Sequence, residues 1–136
     1  MFDNESLSDL TGRTVRLTRS RRATRERALI YEIRVYEAAE GQADAMRRRF
    51  LDVVAPRFFP RHGIELLGAF TALSEDGRLT YVTRFSDEDA RKKAWASFGG
   101  DPEWAAVKSA SETSGPLLKN QVISVLSPAV ASLLLS

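Results

Sequence analysis

The stretch that decides the fold runs from Leu79 to Val107 and reads LTYVTRFSDEDARKKAWASFGGDPEWAAV. Leu79, Tyr81, Thr83 and Phe85 alternate with Thr80, Val82 and Arg84, the two-residue period of a half-buried strand. Ser86 stands just before Asp87, Glu88 and Asp89. Its hydroxyl can accept from first-turn amides, and Asp89 can complete a capping box. Three acids also suit the partial positive charge of a helix N-terminus. Gly99-Gly100 closes that helix, because glycine tolerates a left-handed cap. Asp101-Pro102 opens another, with Asp as the cap and Pro where no amide is missed. Trp95 and Trp104 stand on either side of the break.

Upstream, Ser74-Glu75-Asp76-Gly77 reads as a hairpin turn, with Asp-Gly its sharpest signal. It joins this strand to another over Ile64–Leu73, in which Gly68 marks a bulge or a close approach. From Gln42 to about Arg61, Ala43, Met46, Phe50, Val53, Val54 and Phe58 recur at helical spacing. Pro56 predicts a kink or restart in that helix; Pro60 should finish it and Gly63 cap it. Arg47, Arg48 and Arg49 wrap the outer side and read as a solvated face more readily than as a binding site.

Leu29–Ala38 is the clearest strand. Tyr31, Ile33 and Val35 share an apolar face, expected to meet the helices. Ile30, Glu32, Arg34 and Tyr36 share a mixed face, expected on the oligomer side, with solvent the alternative for its ion pair. Leu117–Leu126 is the fourth strand, ended by Ser127-Pro128. The apolar tail AVASLLLS is expected to pack on a partner subunit.

The order is β-α-β-β-α-β, an α+β ferredoxin-like arrangement: a four-stranded antiparallel sheet with helices on one face. The other face would be bare, which predicts a homodimer with sheets face to face.

Composition narrows the function classes. The chain has 136 residues, 43% of them hydrophobic, enough for one domain with a normal core. It has no cysteine, which removes disulfides, thiolate metal sites and a Cys nucleophile. With one histidine besides, metal binding is disfavoured. No apolar run reaches the ~20 residues of a membrane span, and the simplest location is cytoplasmic. Residues 1–28 hold seven Arg against Asp3, Glu5, Asp9 and Glu26, a net +3, which leaves −1 of the overall +2 for residues 29–136. A near-neutral domain does not present a nucleic-acid footprint. Residues 1–28 lack useful periodicity and read as a flexible Arg-rich arm. A nucleic-acid or membrane-surface arm is an alternative; an export signal lacks its apolar run, and an organelle transit peptide is opposed by the early acids.

A Trp followed shortly by Asp-Pro-Glu-Trp, after a strand rich in Tyr, Arg and Phe, resembles the NIPSNAP family. So does the Tyr-Glu-x-Arg-x-Tyr order of residues 31–36, and relatives commonly show a His-Gly like His62-Gly63. The resemblance covers roughly residues 30–128. It implies a dimeric α/β barrel over residues 29–136, in a superfamily that includes cofactor-independent monooxygenases, polyketide cyclases, isomerases and decarboxylases. NIPSNAP proteins are also proposed to act non-catalytically in vesicle or organelle biology.

No specific catalytic motif is present. His62 is the one side chain that titrates near neutrality unaided. It reads as a helix-end residue facing the last carbonyls, or as a general acid–base at a cleft rim. Tyr31, Tyr81, Phe70, Phe85, Trp95 and Trp104 either fill a plain core or line an aromatic ligand pocket. In an enzyme reading His62 and Tyr81 transfer protons and Arg84 stabilises negative charge. The expectation is thus a homodimer that binds a small apolar or aromatic molecule without cofactor; the alternative is a non-catalytic ligand- or partner-binding dimer.

Overall fold

The computed structural model describes residues 19–74 and 76–129. In chain order the elements are α1 (Arg19–Ala28), β1 (Ile30–Ala38), α2 (residues 43–61), β2 (Glu65–Thr71), β3 (Arg78–Phe85), α3 (Glu88–Gly99), α4 (Pro102–Ser111) and β4 (Leu118–Leu126). The strands form one antiparallel sheet in the order β2-β3-β1-β4. This is the ferredoxin-like topology expected from the chain's periodicities. The expectations for residues 1–18 and for the tail beyond Ala129 lie outside the described residues. Arg19–Ala28, by contrast, is helical, although its sequence carries no apolar stripe. Arginine is a good helix former, so five of them within ten residues support a helix without one. No helix among the described residues is long and apolar enough to cross a membrane.

The core lies between the sheet and α2 and α3. Tyr36 meets Phe50 edge-on at 6.1 Å, Tyr81 lies 4.4 Å from Phe50, and Phe85 lies 6.3 Å from Trp95, measured between ring centroids. Met46, Phe50, Val54 and Phe58 form the buried stripe of α2. Their four-residue spacing is kept on one face by an irregular helix. It is α-helical over Ala43–Arg49, π-helical over Phe50–Phe58 and α-helical again over Phe59–Arg61. Phe59 N–H reaches the carbonyl of Val54, five residues back. Pro56 does not end the helix: it lies inside the π-helical stretch, and α-helix resumes at Phe59. In an α-helix the proline ring would meet the carbonyl four residues back; the wider turn moves that carbonyl away. Gly63, at φ 72°, closes α2 as expected.

Other local devices follow the sequence in part. Leu66 pairs with Thr83 and Gly68 with Val82, so Leu67 is the extra residue of a bulge in β2. A Cβ on Gly68 would come within 2.8 Å of the Phe70 ring, so a larger residue there would have to displace that ring. Asp101 caps α4 by accepting from Glu103 N–H at 2.8 Å. At α3 the cap is Asp87, which accepts from Ala90 N–H at 2.8 Å, and not Ser86. A carboxylate accepts more strongly than a hydroxyl and adds charge against the helix dipole. Gly100 has φ −93°, so the α3–α4 break is made by Asp101-Pro102 rather than by a left-handed glycine.

The two faces of β1 are exchanged relative to expectation. Glu32, Arg34 and Tyr36 point at the helices, where Arg34 lies over Trp95. Tyr31, Ile33 and Val35 lie on the open face, opposite Arg84, Val82 and Thr80 of β3. Phe70, Val122 and Leu126 also belong to the open side and are 58%, 50% and 46% exposed. The mixed face is the buried one because the helices bring partners for its charges.

Asp87→Ala should lower stability by about 1 kcal/mol, the usual value of a helix cap, whereas Ser86→Ala should stay within about 0.5 kcal/mol of wild type in urea denaturation. The opposite ranking would make Ser86 the cap.

Candidate functional site

Glu32 organises the interior side of the sheet. Its side chain is fully buried. An isolated carboxylate there would be very costly, so its partners matter. Oε1 accepts from Trp95 Nε1–H at 2.8 Å and from Arg91 Nη1 at 3.0 Å. Oε2 accepts from Arg34 Nε. Arg91 and Trp95 are one turn apart on α3, so one helical face delivers both donors. Arg91 also grips Glu88 with two bonds of 2.7 and 2.8 Å. Glu88 above all, with Glu32 adding, holds the Arg91 guanidinium above its ordinary basicity. The Arg34 guanidinium lies 3.7 Å from the centroid of the Trp95 ring.

Beside this cluster is a cavity of about 320 Å³. Phe50 of α2, Trp95 and Phe98 of α3 and Trp104 of α4 form its apolar walls. Phe98 and Trp104 stack at 5.1 Å. The polar lining is Arg34 and Tyr36 from β1, Arg49 from α2, Lys108 from α4, Glu112 and Gln121. Arg49 Nη1 donates to Ser111 Oγ at 2.9 Å and to Glu112 Oε2 at 2.8 Å, and its guanidinium lies 5.2 Å from the Trp104 ring. Gln121 Oε1 accepts from Arg34 Nη1 at 3.2 Å.

The Tyr36 hydroxyl also faces this space, 2.8 Å from the hydroxyl of Tyr81. Tyr81 is fully buried, and Tyr36 is the hydrogen-bond partner of its hydroxyl. Either hydroxyl can supply the shared proton; when Tyr81 donates, the Tyr36 O–H is left for the cavity. Burial pushes the pKa of Tyr36 up, and that of Tyr81 well up with the help of Tyr36. Both phenols therefore stay protonated at neutral pH, and Tyr36 presents a donor rather than a base.

Of the residues singled out in the sequence, Trp95 and Trp104 line the cavity, Tyr81 stands behind Tyr36, and Phe85 is buried behind Trp95. His62 lies outside the lining. Its Nε2 is 2.7 Å from Asp101 Oδ2 and its Nδ1 is 2.6 Å from Ser97 Oγ. With the carboxylate ionised, Nε2–H donates to Asp101. The ring thus ties the end of α2 to the α3–α4 junction. Arg61 adds a bond to the same Asp101 oxygen at 2.9 Å. Arg84, Tyr31 and Phe70 are on the opposite face of the sheet, where Arg84 makes a bidentate pair with Glu65 at 3.0 and 2.7 Å. Arg34, expected on the oligomer side, lines the cavity instead, whereas Tyr36, Arg49, Lys108 and Gln121 were not among the site residues read from the sequence. Arg49 could have been found: it lies three residues after Met46 and beside Phe50, at the margin of the apolar stripe. Among the described residues no group of three or more His, Asp or Glu is placed to hold a metal ion.

Fold and site together define a ferredoxin-like α+β domain with a side-chain-lined cavity between its sheet and helices. The chain belongs to the NIPSNAP family, whose model matches residues 31–133. It is similar to a crystal structure of a NIPSNAP family protein of unknown function from Agrobacterium tumefaciens, with 23% identity, a TM-score of 0.65, and coverage of 79% of this chain and 95% of that one. A NIPSNAP-like domain protein from Burkholderia xenovorans gives 20% identity, a TM-score of 0.63, and coverage of 75% and 86%. SnoaB, a cofactor-independent oxygenase from Streptomyces nogalater, gives 16% identity, a TM-score of 0.54, and coverage of 75% and 94%. At these identities the likeness is one of fold. No curated protein matches the chain.

Two outcomes test the polar framework. Glu32→Ala should cost about 3–5 kcal/mol, because it leaves two guanidinium groups partly buried without their carboxylate. Arg84→Ala, which breaks an exposed pair, should cost no more than about 1 kcal/mol. Equal losses in chemical denaturation would refute the central role given to Glu32. The pH dependence tests the second cluster. His62 first, then Arg61 and the Trp104 amide, hold the Asp101 carboxyl below the ordinary carboxylate range. Its stabilisation is therefore complete above the unfolded value near pH 4 and disappears as pH falls through the lower folded value. Asp101→Asn keeps a good cap but cannot titrate. The stability gap between wild type and D101N should be present at about pH 6 and shrink below about pH 4. A gap that stays constant through that range would remove Asp101 from the acid response.

Proposed function

We propose that the protein is a homodimer that binds a small apolar or aromatic molecule in the cavity between sheet and helices, and that it acts on that molecule without a cofactor. The observation that carries this reading is the cavity itself. Aromatic walls meet a hydroxyl donor and two guanidinium groups at one end, the arrangement a small-molecule site needs. In a reaction of the monooxygenase, cyclase, isomerase or decarboxylase kind, negative charge develops on a substrate oxygen. The Tyr36 O–H can donate to that oxygen while Arg34 and Arg49 oppose its charge. Tyr81 acts through Tyr36 by holding its oxygen and fixing the direction of its proton. His62 and Arg84, which lie outside the cavity, have no part in this reading. The SnoaB likeness supports the enzyme reading at the level of fold, which hosts many chemistries. The open sheet face, with Ile33, Val35, Val82, Val122 and Leu126, supports the dimer.

A non-catalytic ligand-binding dimer is the second reading, and one observation favours it. Glu112 is the only carboxylate of the lining, and it is already paired with Arg49 and Lys108. The cavity therefore offers a donor and positive charge but no unpaired base.

Native mass spectrometry of protein purified from its own host separates these readings. A dimer carrying a discrete extra mass is expected, and Leu118→Trp, which fills the cavity from β4, should remove that mass while leaving the dimer. Conversion of the released molecule by wild type, but not by Tyr36→Phe, would establish the enzyme. Binding without conversion would establish the binder, and a monomer would overturn the dimer.

A further inference from the structure

Resting on the reading that the cavity is a ligand site, we propose that its ligand is an aromatic anion whose charged oxygen, a carboxylate, enolate or phenolate, sits between Arg34, Arg49 and Tyr36. The argument starts from charge. Two ion-pair groups border the cavity: Arg34 and Arg91 balance Glu32 and Glu88, whereas Arg49 and Lys108 share Glu112 alone. The second group carries one positive charge in excess. Its Lys108 is half-exposed, but Arg49 is only 9% exposed, so water screens the Arg49 charge poorly.

Geometry then gives the excess charge a direction. Arg34 spends Nε on Glu32 and Nη1 on Gln121, while Arg49 spends Nη1 on Ser111 and Glu112. The Arg34 guanidinium also bears on the Tyr36 hydroxyl, while Nη2 of Arg49 has no hydrogen-bond partner among the described residues. Each guanidinium is also laid against an indole, Arg34 on Trp95 and Arg49 on Trp104, which fixes the plane in which its remaining donors lie. Tyr36 lines the same cavity, close to both guanidinium groups, and its O–H can turn to a ligand when Tyr81 donates to it. Three donors of this kind converge on an oxygen that carries negative charge. A cationic ligand would meet repulsion there, and a neutral one would leave the excess charge uncompensated. The rest of the lining sets the rings of Phe50, Trp95, Phe98 and Trp104 beside Met46, Val54, Pro116 and Leu118, and the flat ring faces suit a planar conjugated body. About 320 Å³ accommodates a bicyclic ring system.

The test is a matched series differing in charge alone: 2-naphthoate, 2-naphthamide and 2-naphthylmethylamine, titrated calorimetrically into the full chain at low salt. Naphthoate should bind about tenfold or more tighter than the amide, the factor expected for a charge-assisted hydrogen bond, and the amine should bind weakest. Arg49→Gln should weaken naphthoate by a similar factor and leave naphthamide within about twofold. Lys108→Gln, at an exposed position whose change leaves the fold intact, should weaken naphthoate in the same direction by less. Equal binding of naphthoate and naphthamide would overturn the anion while leaving the cavity a ligand site. A host-derived bound mass with no binding of any naphthyl probe would overturn the aromatic anion as the ligand class. No probe bound and no host-derived mass would overturn both this inference and the ligand reading beneath it.

Discussion

The structure depends on one buried carboxylate. Glu32 projects from the central part of β1 into a space that contains no water-facing atom of its own side chain. Desolvating such a group costs several kcal/mol, and the cost is offset only when donors stand in the right places. Those donors fix the placement of α3. Arg91 and Trp95 both reach Oε1, so α3 must present one particular face to β1. A rotation by one residue, about 100°, would carry both donors away at once. Hydrophobic packing alone tolerates such shifts better, because it is non-directional. The same carboxylate orients Arg34, and Arg34 is then laid on the ring of Trp95. The cavity's polar end is therefore a consequence of burying a charge.

A second polar clamp frames the opposite side. Asp101 caps α4 with one oxygen and takes His62 and Arg61 from the end of α2 with the other. Two helices thus meet at one carboxylate. Between the two clamps α2 must span the sheet with Met46, Phe50, Val54 and Phe58 all inward. A straight α-helix drifts away from a strict four-residue repeat, and it would also set Pro56 against a carbonyl. The π-helical stretch Phe50–Phe58 resolves both at once. It keeps Arg49 and Phe50 at the cavity and delivers His62 to Asp101.

Much of this was legible in the chain. Strand alternation, the Asp-Gly hairpin, the Asp-Pro helix start and the odd glycine at 68 each signal through local sterics, which act without the rest of the fold. What failed needed tertiary knowledge. Alternation in β1 gives two faces but not their partners. Tyr31, Ile33 and Val35 look like the inner face until Arg91 and Trp95, sixty residues away in sequence, are known to supply Glu32 with donors. Ser86 and Asp87 are both acceptable caps, and backbone geometry chose between them. Arg49 looked like one of three solvated arginines because its partners Ser111, Glu112 and Trp104 lie some sixty residues further along the chain. The tryptophans were legible as wall residues because their size and spacing around a helix break leave few other positions for them.

The cavity lies where it does because the helices do not cover the whole sheet. Arg34 and Glu32 are flanked on β4 by Ile123 and Val125, which share their face. Yet Ile123 and Val125 remain 45% and 43% exposed, so the helical layer stops short of β4. Burial increases from that edge inward to Tyr81 and Phe59, which are sealed. A group entering over β4 would meet Gln121 first, then the guanidinium of Arg34, and only then the aromatic walls. Charged groups placed at the boundary between open and sealed regions are desolvated enough to act strongly and accessible enough to be reached. That balance is unattainable on the other side of the sheet. There Arg84 and Glu65 neutralise each other away from the helices and their aromatic rings. The difference between two arginines on neighbouring strands is thus a matter of which helix stands over them, and it separates the pair that can recognise a small molecule from the pair that cannot.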